Sequence, residues 1–83
     1  MTLVKDISPT GIKAMRERIS AEVRAAHTMN RIAVQKRQWA TLAMIEGKEE
    51  LRNRLWLQVV MYCNNRDDHM DAARRCKWEL EHV

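Results

Sequence analysis

Phenylalanine is missing altogether, and the 83 residues hold one proline, two glycines and two cysteines. So few breakers leave almost nothing to punctuate a β-meander, and helix becomes the default. Two thiols cannot build a disulfide framework, so Cys63 and Cys76 are read as free. The longest apolar stretch, Leu55 to Cys63, is interrupted by Gln58. It falls far short of the roughly 20 residues a membrane-spanning helix needs. The first residues, Met1-Thr2-Leu3-Val4-Lys5-Asp6, lack the basic start and apolar run of a secretory signal, so a cytoplasmic location is expected. Acid is absent between Glu22 and Glu46, while Arg24, Arg31, Lys36 and Arg37 all lie in that interval.

What is present is 46% hydrophobic and 31% charged, which excludes a disordered chain. A single domain over 1–83 is expected, with 1–8 as a flexible N-terminus. A chain of this length buries only about 60% of the surface its unfolded form exposes, so its core is thin. The net charge of +4 is unevenly placed. Residues 1–45 carry eight Lys/Arg against three acids, a balance of +5, and residues 46–83 balance at −1.

Ser8 fits an N-cap and Pro9 the first helical position, where its missing N–H costs nothing. Apolar residues then recur at Ile12, Met15, Ile19, Val23, Ala26, Met29 and Ala33, in steps of three or four that keep to one face. At 100° per residue Arg37 returns to that stripe with Lys36 at its margin, so the seam is expected to pause or the helix to bend there. Gly47 is placed to end this long first helix in the left-handed conformation. Glu49 and Glu50 open a second helix at its positive end, with Leu51, Leu55, Val59 and Tyr62 as a first stripe. Trp56, Leu57, Val60 and Met61 make that helix apolar all round to about Cys63, so it needs cover on more than one side. Asn64-Asn65 before Arg66-Asp67-Asp68 reads as a turn and a fresh N-terminus. A short third helix would then bury Ala72, Ala73, Cys76 and Leu80. The expected fold class is all-α: a long amphipathic first helix, an apolar second helix and a short C-terminal helix, packed as a dimeric helical bundle.

Zinc would need Cys63, His69, Cys76 and His82 to converge, but residues six apart on a helix lie about 240° out of phase. No Gly-rich phosphate loop and no assignable nucleophile–base pair is present, so no catalysis, cofactor or small-molecule substrate is expected. Asp67, Asp68 and Asp71 beside His69 suit a helix start better than a cation site. A helix-turn-helix centred on Gly47 fails, because the reading helix would open with Glu49-Glu50 against phosphates.

Two surfaces remain. Leu55, Trp56, Leu57, Val59, Val60 and Met61 form the candidate self-association surface, giving a homodimer. Arg24, His27, Arg31, Gln35 and Gln38 share one side of the first helix, flanked by Lys36 and Arg37, as a candidate surface for an acidic partner or for nucleic acid. Trp39, Trp56 and Trp78 read as core or interface anchors.

With its compact basic helix (Asn30-Arg31-Ile32-Ala33-Val34-Gln35-Lys36-Arg37) followed by a greasy Trp-bearing one (Leu55-Trp56-Leu57-Gln58-Val59-Val60-Met61-Tyr62), the whole chain resembles the small helical early-region and accessory proteins of lambda-like temperate phages. That resemblance implies a modulator of host or phage regulation, working in the bacterial cytoplasm through host proteins or DNA. It transfers no functional residues. The expected function is a non-enzymatic adaptor or regulator that binds another protein, with DNA binding through the Arg24 to Arg37 face as the alternative.

Overall fold

The structure, a computed structural model, describes residues 9–82. The expected Ser8 cap and the expected flexible 1–8 segment lie outside those residues. Two helices account for nearly all of the described chain: α1 (Pro9–Ile45) and α2 (Glu49–Glu81). They fold back on one another as an antiparallel hairpin measuring 59 × 21 × 13 Å.

The described part of α1 begins at Pro9. At the other end the chain reverses in three residues. The Gly47 N–H donates to the Met44 carbonyl at 3.1 Å and the Lys48 N–H to the Ala43 carbonyl at 2.8 Å. These are the two bonds of a Schellman cap, and they require Gly47 in the left-handed region, at φ 74°. Glu49 and Glu50 then sit in the first turn of α2, beside its positive end.

The expected third helix does not exist as a separate element, because α2 runs unbroken through Asn64 and Asn65. Asparagine in a helix costs at most about 0.7 kcal/mol relative to alanine. Here both asparagines are exposed, while Tyr62 and Arg66 on either side stay packed toward α1. Two small propensity losses cannot interrupt packing that continues on both sides of them. Asp67 and Asp68 are therefore mid-helix residues, and Asp67 accepts a hydrogen bond from Arg66 Nε at 3.0 Å.

α1 continues as one helix through Lys36 and Arg37. The buried seam repeats every 3.5 residues, with the alternating three- and four-residue steps of a two-stranded coiled coil. On α1 it runs Ile12, Met15, Ile19, Glu22, Ala26, Met29, Ala33, Lys36, Ala40 and Ala43, all buried or half-buried. On α2 it runs Arg52, Leu55, Val59, Tyr62, Arg66, His69, Ala73, Cys76 and Leu80, with the same result. Lys36 thus occupies the seam and Arg37 is exposed, the reverse of the 3.6-residue expectation.

Register follows from contacts across the seam. His69 Nδ1 lies 3.3 Å from Glu22 Oε1, and one heptad further out the Cys76 thiol donates to the Met15 carbonyl at 3.6 Å. Between Glu22 and the turn, Arg66 Nη1 donates to Asn30 Oδ1 at 2.8 Å. The most deeply buried positions of α1 are all alanines, Ala26, Ala33, Ala40 and Ala43, and no large side chain is fully buried anywhere in the described chain. Alanine once per heptad at Ala26, Ala33 and Ala40, and again at Ala43, lets helix axes approach toward the short end of the 8–10 Å range. The core is consequently thin, as the length predicts.

Candidate functional site

Packing two helices along one seam hides one stripe of each and leaves the rest bare. Near the turn, what is left bare is apolar. Among the described residues the exposed large hydrophobics are Val34, Trp39, Leu42, Met44, Ile45, Leu51, Trp56, Leu57, Val60, Met61 and Trp78. All but Trp78 lie within fourteen residues of Gly47, so they encircle the last ~20 Å of the rod as a collar. At on the order of 100 Å² for each such side chain, the ten residues together expose roughly 1,000 Å², distributed over both sides of the hairpin.

The collar has two sides, set by the seam. On one lies a groove of about 410 Å³ between the helices, with Ala43 and Leu55 among its walls and Trp39, Leu42, Leu51 and Gln58 around it. Lys36 holds its ammonium 5.1 Å from the Trp39 ring centre, a cation–π contact that steadies the indole at the rim. Gln58 Oε1 is buried there without a hydrogen-bond partner. On the other side, helical phase places Val34, Met44, Trp56 and Val60.

The six residues expected to drive self-association therefore divide. Leu55 and Val59 are core residues, buried against α1, and are unavailable to a partner. Trp56, Leu57, Val60 and Met61 are exposed. Trp39, read from the sequence as a core or interface anchor, belongs to the same collar with Leu42 and with Leu51, which was expected on the buried stripe of α2 but is exposed. One partner helix covers only the Leu55–Val59 stripe of α2, and Trp56, Leu57, Val60 and Met61 on its remaining faces are exposed.

The basic row is assembled as its spacing implies. Arg24, His27, Arg31, Gln35, Arg37 and Gln38 are exposed on α1, and Lys36 is half-buried. Among the described residues no ion pair involves Arg24, Arg31 or Arg37. The two helices keep the asymmetry of the sequence: α1 carries seven Lys/Arg and two acids, and α2 six and seven.

The four residues weighed for zinc are engaged separately. His69 faces Glu22, Cys76 faces the Met15 carbonyl, and His82 stacks on Trp78 with ring centres 4.1 Å apart. Cys63 is half-buried. The described residues contain no group of three or more His, Cys, Asp or Glu placed to hold a metal ion. The hydrogen bond from Arg66 to Asp67, then the charge of that carboxylate, raise the Arg66 pKa further. No helix among the described residues is long and apolar enough to cross a membrane.

Comparison with protein-family models, with characterised proteins and with solved structures finds no match.

Proposed function

We propose that this protein is a non-enzymatic adaptor or regulator that works by protein–protein contact, as a homodimer whose free collar surface engages a second protein. The observation that carries this reading is the collar. A rod-shaped hairpin with a thin alanine seam leaves roughly 1,000 Å² of apolar side chain uncovered at one end. A dimer covers one side of that end and leaves the other, with Trp56 and Val60, for the target. A regulatory target in a phage or its bacterial host agrees with the resemblance drawn from the sequence.

Sedimentation equilibrium tests the first step. A dimer is expected across the micromolar range, and a monomer at high micromolar concentration would refute the reading.

One observation favours a second reading: Arg24, Arg31 and Arg37 are exposed cations without ion-pair partners among the described residues. If this row grips duplex DNA, three or four phosphate contacts predict a slope near −3 for log affinity against log salt. Arg24→Glu with Arg31→Glu should then abolish binding while helicity is unchanged, because neither residue belongs to the seam. Absence of any duplex shift at about 50 mM salt removes this reading, because non-specific electrostatic binding is strong at low salt.

A further inference from the structure

Resting on the duplex reading above, we propose that the outer row of α1 reads base edges in the DNA major groove, Arg24 and Arg31 taking guanine and Gln35 and Gln38 taking adenine. The row follows from the seam. The positions of α1 turned directly away from α2 recur every seven residues as Glu17, Arg24, Arg31 and Gln38, about 10.5 Å apart. Gln35 lies beside Arg31 and Gln38 on the same outer face, and all four proposed readers are exposed. The acid on the row, Glu17, precedes them and is paired with Lys13 at 4.0 Å. At the same level the outer positions of α2 hold Asp67, Asp68 and Asp71, two of them paired with Arg66 and Arg74. That edge offers a polyanion no net attraction, so the α1 edge is the one a duplex approaches.

Charge alone brings α1 to a phosphate backbone; the two glutamines point further, to the bases. They stand as neutral amides in line with the arginines, and no side-chain hydrogen bond among the described residues engages either. An amide adds nothing to an electrostatic grip. It does present a donor and an acceptor side by side, the complement of adenine N7 and N6, as the arginine fork is the complement of guanine O6 and N7. A helix about 10–12 Å across fills a major groove about 12 Å wide. From Arg24 to Gln38 the row runs about 21 Å. Toward its two ends, where a straight helix leaves the curving groove, Arg16 and Arg37 stand exposed to one side of the row without ion pairs, placed for phosphate. The duplex is B-form DNA, because side chains cannot read the narrow major groove of A-form RNA.

A pool of DNA duplexes of randomised sequence tests the site with the full chain. Binding to the unselected pool at about 50 mM salt checks the duplex reading itself. No shift there overturns both that reading and this proposal, and leaves the row to an acidic protein partner. Repeated selection from the pool should then enrich a short motif holding guanine and adenine. A chain that shifts the pool but enriches no motif overturns base reading alone, leaving an electrostatic grip. Two variants carry the test to the residues. Gln38→Ala removes the amide, and Arg24→Lys keeps the charge without the two-point contact. Each should lower the preference for the selected motif over the pool by about five- to a hundredfold, the loss expected for one bidentate base contact. Asn64→Ala, on the outer face of α2, should leave that preference unchanged. A preference that survives in both row variants, or that falls equally with Asn64→Ala, overturns the assignment. None of the three residues lies in the seam, so circular dichroism should show wild-type helicity in each variant.

Discussion

Leu55→Ala should unfold most of the stability margin of this protein. Leu55 is 7% exposed and clusters with Ala40 and Ala43, the latter two already the smallest side chains that can fill a seam. Alanines cannot move in to close the space, so the substitution sits in the upper part of the Leu→Ala range, about 3–5 kcal/mol. A chain of this length has about 4–12 kcal/mol in total. Thermal unfolding monitored by circular dichroism should show the midpoint falling by well over 10 °C. Leu57→Ala, at a residue 72% exposed two positions away, is the matched control and should change stability by no more than about 0.5 kcal/mol. Equal effects at the two positions would mean that the seam is not where the hairpin is held.

Ala33→Leu should destabilise despite adding hydrophobic surface. Ala33 lies midway along the seam and is almost fully buried, so three more carbon atoms have nowhere to go without separating the helices. Overpacking of this kind costs about 1–3 kcal/mol. It also costs cooperativity, because the close approach is shared with Ala26 and Ala40. The expected result is a lower and broader melting transition with helicity retained at low temperature. A sharper, higher transition would show that the helices already stand far enough apart for leucine, and the alanine seam would lose its meaning.

How far the sequence reveals this fold depends on which signal is followed. Gly47 is a local signal tied to one backbone geometry, and α1 ends where that residue puts the turn. The apolar steps from Ile12 to Ala33 likewise mark the seam, except that Glu22 and not Val23 occupies it. Beyond Ala33 the seam admits Lys36, and on α2 it admits Arg52, Arg66 and His69, which a search for apolar periodicity passes over. A straight 3.6-residue helix also drifts about 20° per heptad from a 3.5-residue repeat. Over the three heptads from Met15 that drift is enough to exchange Lys36 for Arg37. The turn expected at Asn64-Asn65 failed for a different reason. Turn residues report local preference, and here the tertiary contact of Arg66 with Asn30 lies on the same helix just beyond them.

The candidate site was legible in part. A charged row on a long helix is exposed almost by default, so the exposure of Arg24, His27, Arg31, Gln35, Arg37 and Gln38 follows from the sequence, while Lys36 is half-buried in the seam. The apolar group on α2 was visible as composition but not as geometry. Only the position of α1 decides that Leu55 and Val59 turn inward while Trp56, Leu57, Val60 and Met61 do not.

The polar pair in the seam, Glu22 with His69, has an effect on register. Sliding α2 by one heptad would strand each of these groups against an apolar neighbour, so they oppose slippage even where they add little stability.

The three-residue reversal at Gly47 also sets the order in which the molecule forms. Contacts beside it join residues close in sequence, such as Ala43 and Leu55, whereas Met15 and Cys76 at the far end are 61 positions apart. Loop-closure entropy rises with that separation, so each heptad nearer the open end is harder to reach first and easier to lose. The chain should therefore close like a zipper from Gly47 outward, with amide exchange protection strongest around Ala43 and fading toward Ile12 and Leu80.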